Sequence, residues 1–210
     1  MIPPMANPMR ERLLEAATEL FYAHGLRAVS VDKVIDGAAT TKVTFYRHFK
    51  SKDDLIVAYL ERRAALEREG IDAAIARGEG DVDATLGLIA EQVGIMACAP
   101  GFRGCPFINA AAEYPDPDSP VRRTVDAHRR WCRGAFERLA APLGHREAGD
   151  VADDLMLLRD GAMVAGYLDE PAAVADSFLR SGRAVTGVAA PCGASDGASD
   201  GASGSAGPVG

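Results

Sequence analysis

A short basic stretch stands out in a chain that is acidic as a whole. The 210 residues carry a formal net charge of −7, yet no carboxylate lies between Asp36 and Asp53. Side chains in this interval that carry positive charge or donate hydrogen bonds are Thr40, Thr41, Lys42, Thr44, Tyr46, Arg47, His48, Lys50, Ser51 and Lys52. Neighbouring like charges repel, so such a stretch is typical of a surface that neutralises phosphates. The residue types therefore predict contact with nucleic acid.

A helix from Thr41 to Phe49 would have two different faces. At about 100° per residue, Phe45 and Phe49 share one face and would pack inward, whereas Val43 and Arg47 point away. Arg47 can donate two parallel hydrogen bonds to guanine, and Val43 can contact a thymine methyl group. The alternative is a solvated helix face with no partner.

The predicted DNA-contacting set combines base and phosphate contacts. Thr41 and Lys42 lie in the first turn, which approaches base edges most closely in a recognition helix. Lys52 begins the next helix, where free backbone N–H groups favour an anion. The full set is Thr41, Lys42, Val43, Thr44, Tyr46, Arg47, His48 and Lys52.

Two shorter helices precede the basic one. Leu13, Ala17 and Phe21 recur at helical spacing up to Gly25, and Ser30 is a suitable N-cap for a second helix that ends at Gly37. Together these elements predict a helix-turn-helix domain over residues 9–51, after a flexible leader of residues 1–8.

The remainder of the chain predicts a bundle of longer helices over residues 52–190. A fourth helix begins after Ser51 and runs towards Glu69, and Pro- and Gly-rich breaks separate the later ones. We expect these later helices near Val82–Ala97, Pro106–Glu113, Val121–Ala140, Ala148–Tyr167 and Pro171–Val188. The predicted fold is all-α. Residues 191–210, with their repeated Gly-Ala-Ser-Asp pattern, predict a disordered tail.

The composition does not favour a membrane protein, a secreted protein or a metal-binding protein. No apolar run reaches membrane-spanning length, and the N-terminus lacks the order of a signal peptide, so we expect a cytoplasmic protein without membrane contact. The four cysteines show no Cys-x-x-Cys pairing and no His at metal-ligand spacing, so we expect free thiols, no metal site and no cofactor.

Two segments resemble a known family. Thr44–Phe49, which reads Thr-Phe-Tyr-Arg-His-Phe, and Ser51–Leu55, which reads Ser-Lys-Asp-Asp-Leu, are similar to the DNA-binding domain of TetR-type repressors. The resemblance implies a homodimer on a palindromic operator of double-stranded DNA, released by a small-molecule effector. The chain departs from the family pattern at Ala39, where the turn usually has Gly, and at Thr40 and Asp32.

The resemblance also implies dimerisation through the last two helices. The apolar positions that match this are Val151, Leu155, Leu158, Ala162 and Ala165 in one helix and Val174, Phe178, Ala184, Val185 and Val188 in the next. Gly161 and Gly166 would allow close helix approach. An ordinary intramolecular core explains the same pattern equally well.

A candidate effector pocket centres on residues 104–113, which resemble a short central helix found in some TetR-type proteins. Asn109 and Glu113 lie one turn apart and would share a face. The predicted pocket residues are Met96, Phe107, Asn109, Glu113, Trp131 and Met163. Alternatively, Asn109 bonds a loop carbonyl and Glu113 is solvated or paired with an arginine.

Three other functions compete with effector binding. Cys105, near a helix N-terminus, is a candidate thiol sensor of oxidants or electrophiles, with Cys98 as a resolving thiol. A thiol-dependent enzyme would use Cys105, Glu113 and His128, although no motif joins them; we therefore expect no enzyme and no catalytic residues. A helix-turn-helix unit can also serve as a protein-binding adaptor.

Overall fold

The structure is a computed structural model that describes residues 7–144 and 146–188. Within these ranges it contains nine α-helices and no strand, which confirms the all-α prediction. Their bounds are α1 Pro8–His24, α2 Val31–Gly37, α3 Lys42–His48, α4 Lys52–Arg77, α5 Val82–Ala97, α6 Pro106–Glu113, α7 Pro120–Ala140, α8 Ala148–Leu168 and α9 Val174–Thr186. The predicted tail, 191–210, and most of the predicted leader lie outside the described residues.

Side-chain caps define where the first helices begin. Ser30 accepts a hydrogen bond from the Lys33 N–H, and Thr41 accepts one from the Thr44 N–H. Ser51 and Asp54 form a reciprocal capping box at the start of α4. Each cap satisfies backbone donors that have no partner inside the helix, so each of these helices begins at a fixed residue.

The turn between α2 and α3 is closed by a Schellman motif. The Thr40 N–H donates to the Ile35 carbonyl at 3.1 Å, and the Ala39 N–H donates to the Asp36 carbonyl at 3.0 Å. This arrangement gives Ala39 a φ of +47°. A left-handed alanine costs about 1–2 kcal/mol, so the position normally filled by Gly is occupied here by a strained residue.

Helix α4 extends further than the sequence indicated. It continues through Gly70 and ends at Arg77, so the prediction of an end near Glu69 was wrong. The Gly70 carbonyl accepts a hydrogen bond from Gln92 Nε2 on α5, and a Cβ at Gly70 would lie 3.0 Å from Gln92 Oε1. Gly70 thus permits close helix approach instead of ending the helix.

The bundle is built by α4 to α9. Helix α7 packs against α4 and α8, while α9 packs against α5 and α8. A Cβ on Gly166 would lie only 2.8 Å from the Ala97 Cβ, so α8 and α5 approach closely at that point. None of the helices over residues 7–144 and 146–188 is both long and apolar enough to cross a bilayer.

Five of the ten apolar residues assigned to the dimer seam belong to the buried core of the protomer. Val151, Leu155, Ala162, Val174 and Phe178 are all buried within one chain. Assigning these five to a dimer seam was therefore wrong, because the helical period marks the face that packs against the chain's own helices. A different stripe of α8 is exposed: Leu157, Gly161, Val164 and Leu168.

Candidate functional site

Helix α3 has the two faces that the sequence indicated. Phe45 and Phe49 are 0% and 2% exposed, and their rings lie 5.9 Å apart in the hydrophobic core. Val43 is 73% exposed and Tyr46 47%, and Arg47 is also exposed. The buried phenylalanines fix the helix while its opposite face remains available to a partner.

The first turn of α3 is held by local hydrogen bonds. Thr41 Oγ1 lies 3.0 Å from Thr44 Oγ1, and both residues therefore present ordered hydroxyl groups near the helix start. Lys42 Nζ lies 3.5 Å from Asp32 Oδ1, with both side chains well exposed. Exposed ion pairs contribute little to stability, so Lys42 can exchange Asp32 for a phosphate. His48 is half-buried at the end of the helix.

Lys52 has a different environment from the other basic residues. Its Nζ donates to the Arg27 carbonyl at 3.2 Å, and partial burial lowers its pKa. The Arg27 N–H donates at 2.7 Å to Glu113 Oε2, and the Leu26 N–H donates at 2.9 Å to Glu113 Oε1. We call this set of contacts, made by Lys52 and Glu113 to Leu26 and Arg27, the α1–α2 clamp.

Further hydrogen bonds connect the same two parts of the chain. Tyr22 Oη donates to the Gly104 carbonyl at 3.0 Å and accepts from the Arg103 N–H at 2.8 Å. Tyr114 Oη donates to Asp53 Oδ1 at 3.2 Å, and burial together with the Asp53 charge raises the pKa of Tyr114 to about 12. The segment around α6 is therefore bonded to α1 and to the α1–α2 loop.

A cavity of about 360 Å³ lies inside the bundle. Its apolar walls include Leu66, Ile71, Ile89, Val93, Ile95, Met96, Phe102, Phe136 and Met163. Leu66 and Ile95 are largely exposed, so the apolar lining continues to the surface. This size and lining suit a small, mainly apolar molecule.

One end of the cavity is polar. Arg159, 5% exposed, forms an ion pair with Glu67 through Nε at 2.9 Å and through Nη2. Burial alone would raise the Glu67 pKa, but the His128 hydrogen bond and the Arg159 charge hold that pKa well below its usual range. The Arg159 Nη atoms also lie 3.8 and 3.9 Å from Cys105 Sγ.

A second cavity of about 310 Å³ lies between α1 and the bundle. Asn109, Glu113 and Met163 line it, together with Cys105, which also lines the first cavity. The carboxylate of Glu113 is engaged by the α1–α2 clamp, and Asn109 Nδ2 donates to the Arg103 carbonyl at 3.0 Å. The loop-carbonyl alternative for Asn109 thus matches the structure.

The predicted pocket residues do not form one cluster. Met96 and Met163 line the first cavity, but Phe107 and Trp131 line neither of the two. Phe107 is buried with its ring stacked on His128 at 3.8 Å, and Trp131 packs under the Arg68 guanidinium.

The three candidate enzyme residues have separate partners. Cys105 lies beside Arg159, and Glu113 holds the α1–α2 clamp. His128 contacts Glu67 and Cys132. Within the described residues, the contacts of Cys105 include no hydrogen bond to Glu113 or His128, so these side chains do not form the pair of nucleophile and base that a thiol-dependent enzyme needs.

The chain is similar to known proteins of one family. The family described as "Bacterial regulatory proteins, tetR family" matches residues 13–59. The crystal structure of SCO4454, a TetR-family transcriptional regulator from Streptomyces coelicolor, superposes with a TM-score of 0.79 at 42% sequence identity. The match covers 85% of this chain and 94% of that protein. The chain belongs to the TetR family of transcriptional regulators.

Two curated TetR-family relatives match over part of their length. The transcriptional repressor NemR of Escherichia coli K12 is 27% identical over 135 residues, which span 64% of this chain and 66% of NemR. The regulator UidR of the same strain is 38% identical over 71 residues, 32% of this chain and 36% of UidR. The matches therefore span between about one third and just under two thirds of these relatives. A crystal structure of reduced NemR shares the fold, with a TM-score of 0.74 at 21% identity over 83% of this chain.

Sequence reasoning missed the polar end of the cavity in this TetR-family protein. Arg159 and Glu67 were not singled out, although an arginine among apolar residues of α8 is an unusual core position. His128 and Cys132 are four residues apart and share a face of α7, so the expectation that no His stands at ligand spacing from a cysteine was wrong.

Proposed function

We propose that this TetR-family protein is a homodimeric repressor that binds a palindromic operator through α3 and is released by a small, mainly apolar effector. The observation that carries the DNA-binding part is the outward face of α3, which presents Val43, Tyr46 and Arg47 from a helix anchored by buried phenylalanines. The proposed contacts are Thr41, Lys42, Val43, Thr44, Tyr46, Arg47, His48 and Lys52. Such a regulator acts in the cytoplasm, where its operator is.

Lys52 takes part in DNA binding in a second way. Its amine is held by the Arg27 carbonyl and lies at the N-terminus of α4. A phosphate at that N-terminus would share the amine with the carbonyl, so Lys52 joins the DNA contact to the α1–α2 clamp.

Dimerisation is supported by the exposed stripe of α8. Leu157, Val164 and Leu168 are 73%, 48% and 69% exposed and recur with Gly161 at helical spacing. Burying this stripe against a second copy would remove it from water, and Gly161 would let the helices approach closely. Two-fold symmetry would then place two α3 helices about 34–36 Å apart, one turn of DNA.

The effector is proposed to bind in the 360 Å³ cavity. A ligand of this kind would cover Met96 and Met163 and meet Arg159 at the polar end. The coupling to DNA is proposed to pass through α6, because its start at Cys105 and Pro106 lines the cavity and its last residue, Glu113, holds the α1–α2 clamp. For release, the ligand must bind the arrangement with a displaced α6 more tightly than the DNA-binding one.

The test is the binding of Arg47→Ala and Lys52→Ala to a panel of operator variants. Arg47→Ala should lose preference at one base position per half-site, whereas Lys52→Ala should bind all variants more weakly without changing their order. Equal loss of preference in both variants would contradict the assignment of Arg47 to a base and Lys52 to a phosphate.

Thiol sensing at Cys105 is a second candidate, favoured by the proximity of Arg159 to the sulfur. Iodoacetamide would alkylate the Cys105 sulfur: an S–C bond forms, iodide leaves and the thiol proton goes to solvent. If Cys105 is the sensor, modification should release DNA from the wild type but not from Cys105→Ala. Modification confined to the exposed Cys98 with DNA still bound would reject the sensor.

A further inference from the structure

Three side chains with metal-binding atoms converge in the core between α4 and α7. Glu67 comes from α4, and His128 and Cys132 come from adjacent turns of α7. One carboxylate oxygen, one ring nitrogen and the sulfur all lie within 4.8 Å of one another. His128 Nε2 lies 3.0 Å from Glu67 Oε2 and 3.4 Å from Cys132 Sγ.

The two separations from His128 Nε2 are close to the edges of a metal coordination shell. Zinc binds nitrogen and oxygen at roughly 2.0–2.2 Å and thiolate sulfur at about 2.3 Å in tetrahedral geometry. Those bond lengths place neighbouring ligand atoms roughly 3.3–3.6 Å apart. The two observed distances are therefore within a few tenths of an ångström of the values required, and small side-chain movements would admit the ion.

We propose that Glu67, His128 and Cys132 form a three-ligand site for a divalent cation with affinity for nitrogen and sulfur, with zinc as the best match. The mixture of carboxylate, imidazole and thiolate is one that zinc uses and that magnesium and calcium do not. Three protein ligands leave one tetrahedral position for water or another small ligand.

The groups around the site already orient the ligands. Arg159 donates to Oε1 of Glu67, which leaves Oε2 facing His128. The Phe107 ring stacks on the His128 ring with centroids 3.8 Å apart and planes at 21°, which fixes the direction of the imidazole. The hydrogen bond from Arg159 to Glu67 is of the kind that holds ligating carboxylates in place.

Charge balance also permits the ion. On binding, the Cys132 S–H bond breaks, the proton goes to solvent and the thiolate sulfur bonds the metal. The charges of Glu67 and the thiolate offset those of a divalent ion, and Arg159 then shares Asp160, at 3.2 Å, with Arg129, at 2.7 Å. Glu67 lines the cavity with 19% of its side chain exposed, so an entering cation would meet it first.

Cobalt(II) titration of the full-length, chelator-treated protein tests the site without any use of DNA. Thiolate-bound tetrahedral cobalt produces a near-ultraviolet charge-transfer band and intense visible bands. The wild type should show these bands at one cobalt per chain, and zinc should abolish them. Cys132→Ala should lose the charge-transfer band and bind zinc at least about tenfold more weakly.

Matched cysteine variants make the assignment specific. Cys105→Ala removes a buried thiol outside the proposed ligand set, and Cys98→Ala removes an exposed one; both should keep the band. A second measurement covers slow entry into a closed core: protein refolded with zinc and dialysed should retain one zinc per chain by elemental analysis. A band lost in Cys105→Ala but kept in Cys132→Ala, or no retained metal after refolding, would overturn the proposal, whatever the protein does with DNA.

Discussion

Replacing Glu113 by glutamine should loosen the connection between the sensor bundle and the DNA-binding domain. The carboxylate accepts two backbone hydrogen bonds, at 2.9 Å from Leu26 and 2.7 Å from Arg27. Glutamine retains one acceptor oxygen, so one of the two N–H groups would face an NH₂ group instead. A hydrogen bond to a charged acceptor contributes about 1.5–3 kcal/mol. Because Arg27 is exposed, the lower end of that range applies, about 1.5 kcal/mol.

Amide hydrogen exchange measures this loss at the residues concerned. A loss of about 1.4 kcal/mol corresponds to a factor of ten, so the Leu26 or Arg27 amide should exchange about tenfold faster in Glu113→Gln if local opening limits exchange. Glu170→Gln is the matched control, since Glu170 is an exposed carboxylate between α8 and α9. Operator affinity should fall by up to about tenfold in Glu113→Gln alone.

Two results would refute the reasoning. Unchanged exchange at both Leu26 and Arg27 would show that Glu113 does not hold the loop. Equal acceleration in the Glu170→Gln control would show a general loss of stability and not a local clamp.

Three other predictions follow from the packing, the backbone and one ion pair. A Cβ at Gly161 or Gly87 would have open space within the protomer. Light scattering should therefore show a folded monomer for Gly161→Arg, in the exposed stripe of α8, and a dimer for the control Gly87→Arg. If both variants are dimers, the exposed stripe of α8 is not the dimer interface. Ala39→Gly should raise the free energy of unfolding by about 0.5–1 kcal/mol, since it relieves the positive φ but adds unfolded-state entropy; a decrease by urea denaturation would reject the strain. The hydrogen bond from Arg183 holds the pKa of Asp83 below its usual value. The pair thus stabilises the fold above about pH 4 and loses that effect as pH falls through the lowered pKa. The melting temperature of the wild type should therefore exceed that of Asp83→Asn at neutral pH, and the difference should shrink below about pH 4. A difference that does not depend on pH would contradict this prediction.

The DNA-binding domain was largely predictable because its signals are local. Ser30, Thr41 and Ser51 are caps whose hydrogen bonds span only three residues, so the start of each helix follows from short stretches of sequence. The inward placement of Phe45 and Phe49 likewise depends only on helical spacing. The residues proposed to contact DNA remain a prediction.

The sensor bundle was less predictable because its contacts join distant parts of the chain. Glu113 is bonded to residues 86 and 87 positions away, and Arg159 to Glu67, 92 positions away. Helical spacing placed Asn109 and Glu113 on one face but gave no information about what that face meets. The same spacing marked Val151 and Leu155 as apolar without showing whether the partner helix came from the same chain or from a second copy.

The most direct test of the account is equilibrium binding of the wild-type dimer to DNA flanking its own coding region, compared with a scrambled fragment across a range of salt concentrations. The account predicts selective binding whose affinity falls steeply with salt, by a slope of about −0.9 per phosphate contacted, and a loss of selectivity in Arg47→Ala. Equal affinity for both fragments at every salt concentration, unchanged by Arg47→Ala, would contradict the assignment of α3 as the recognition helix.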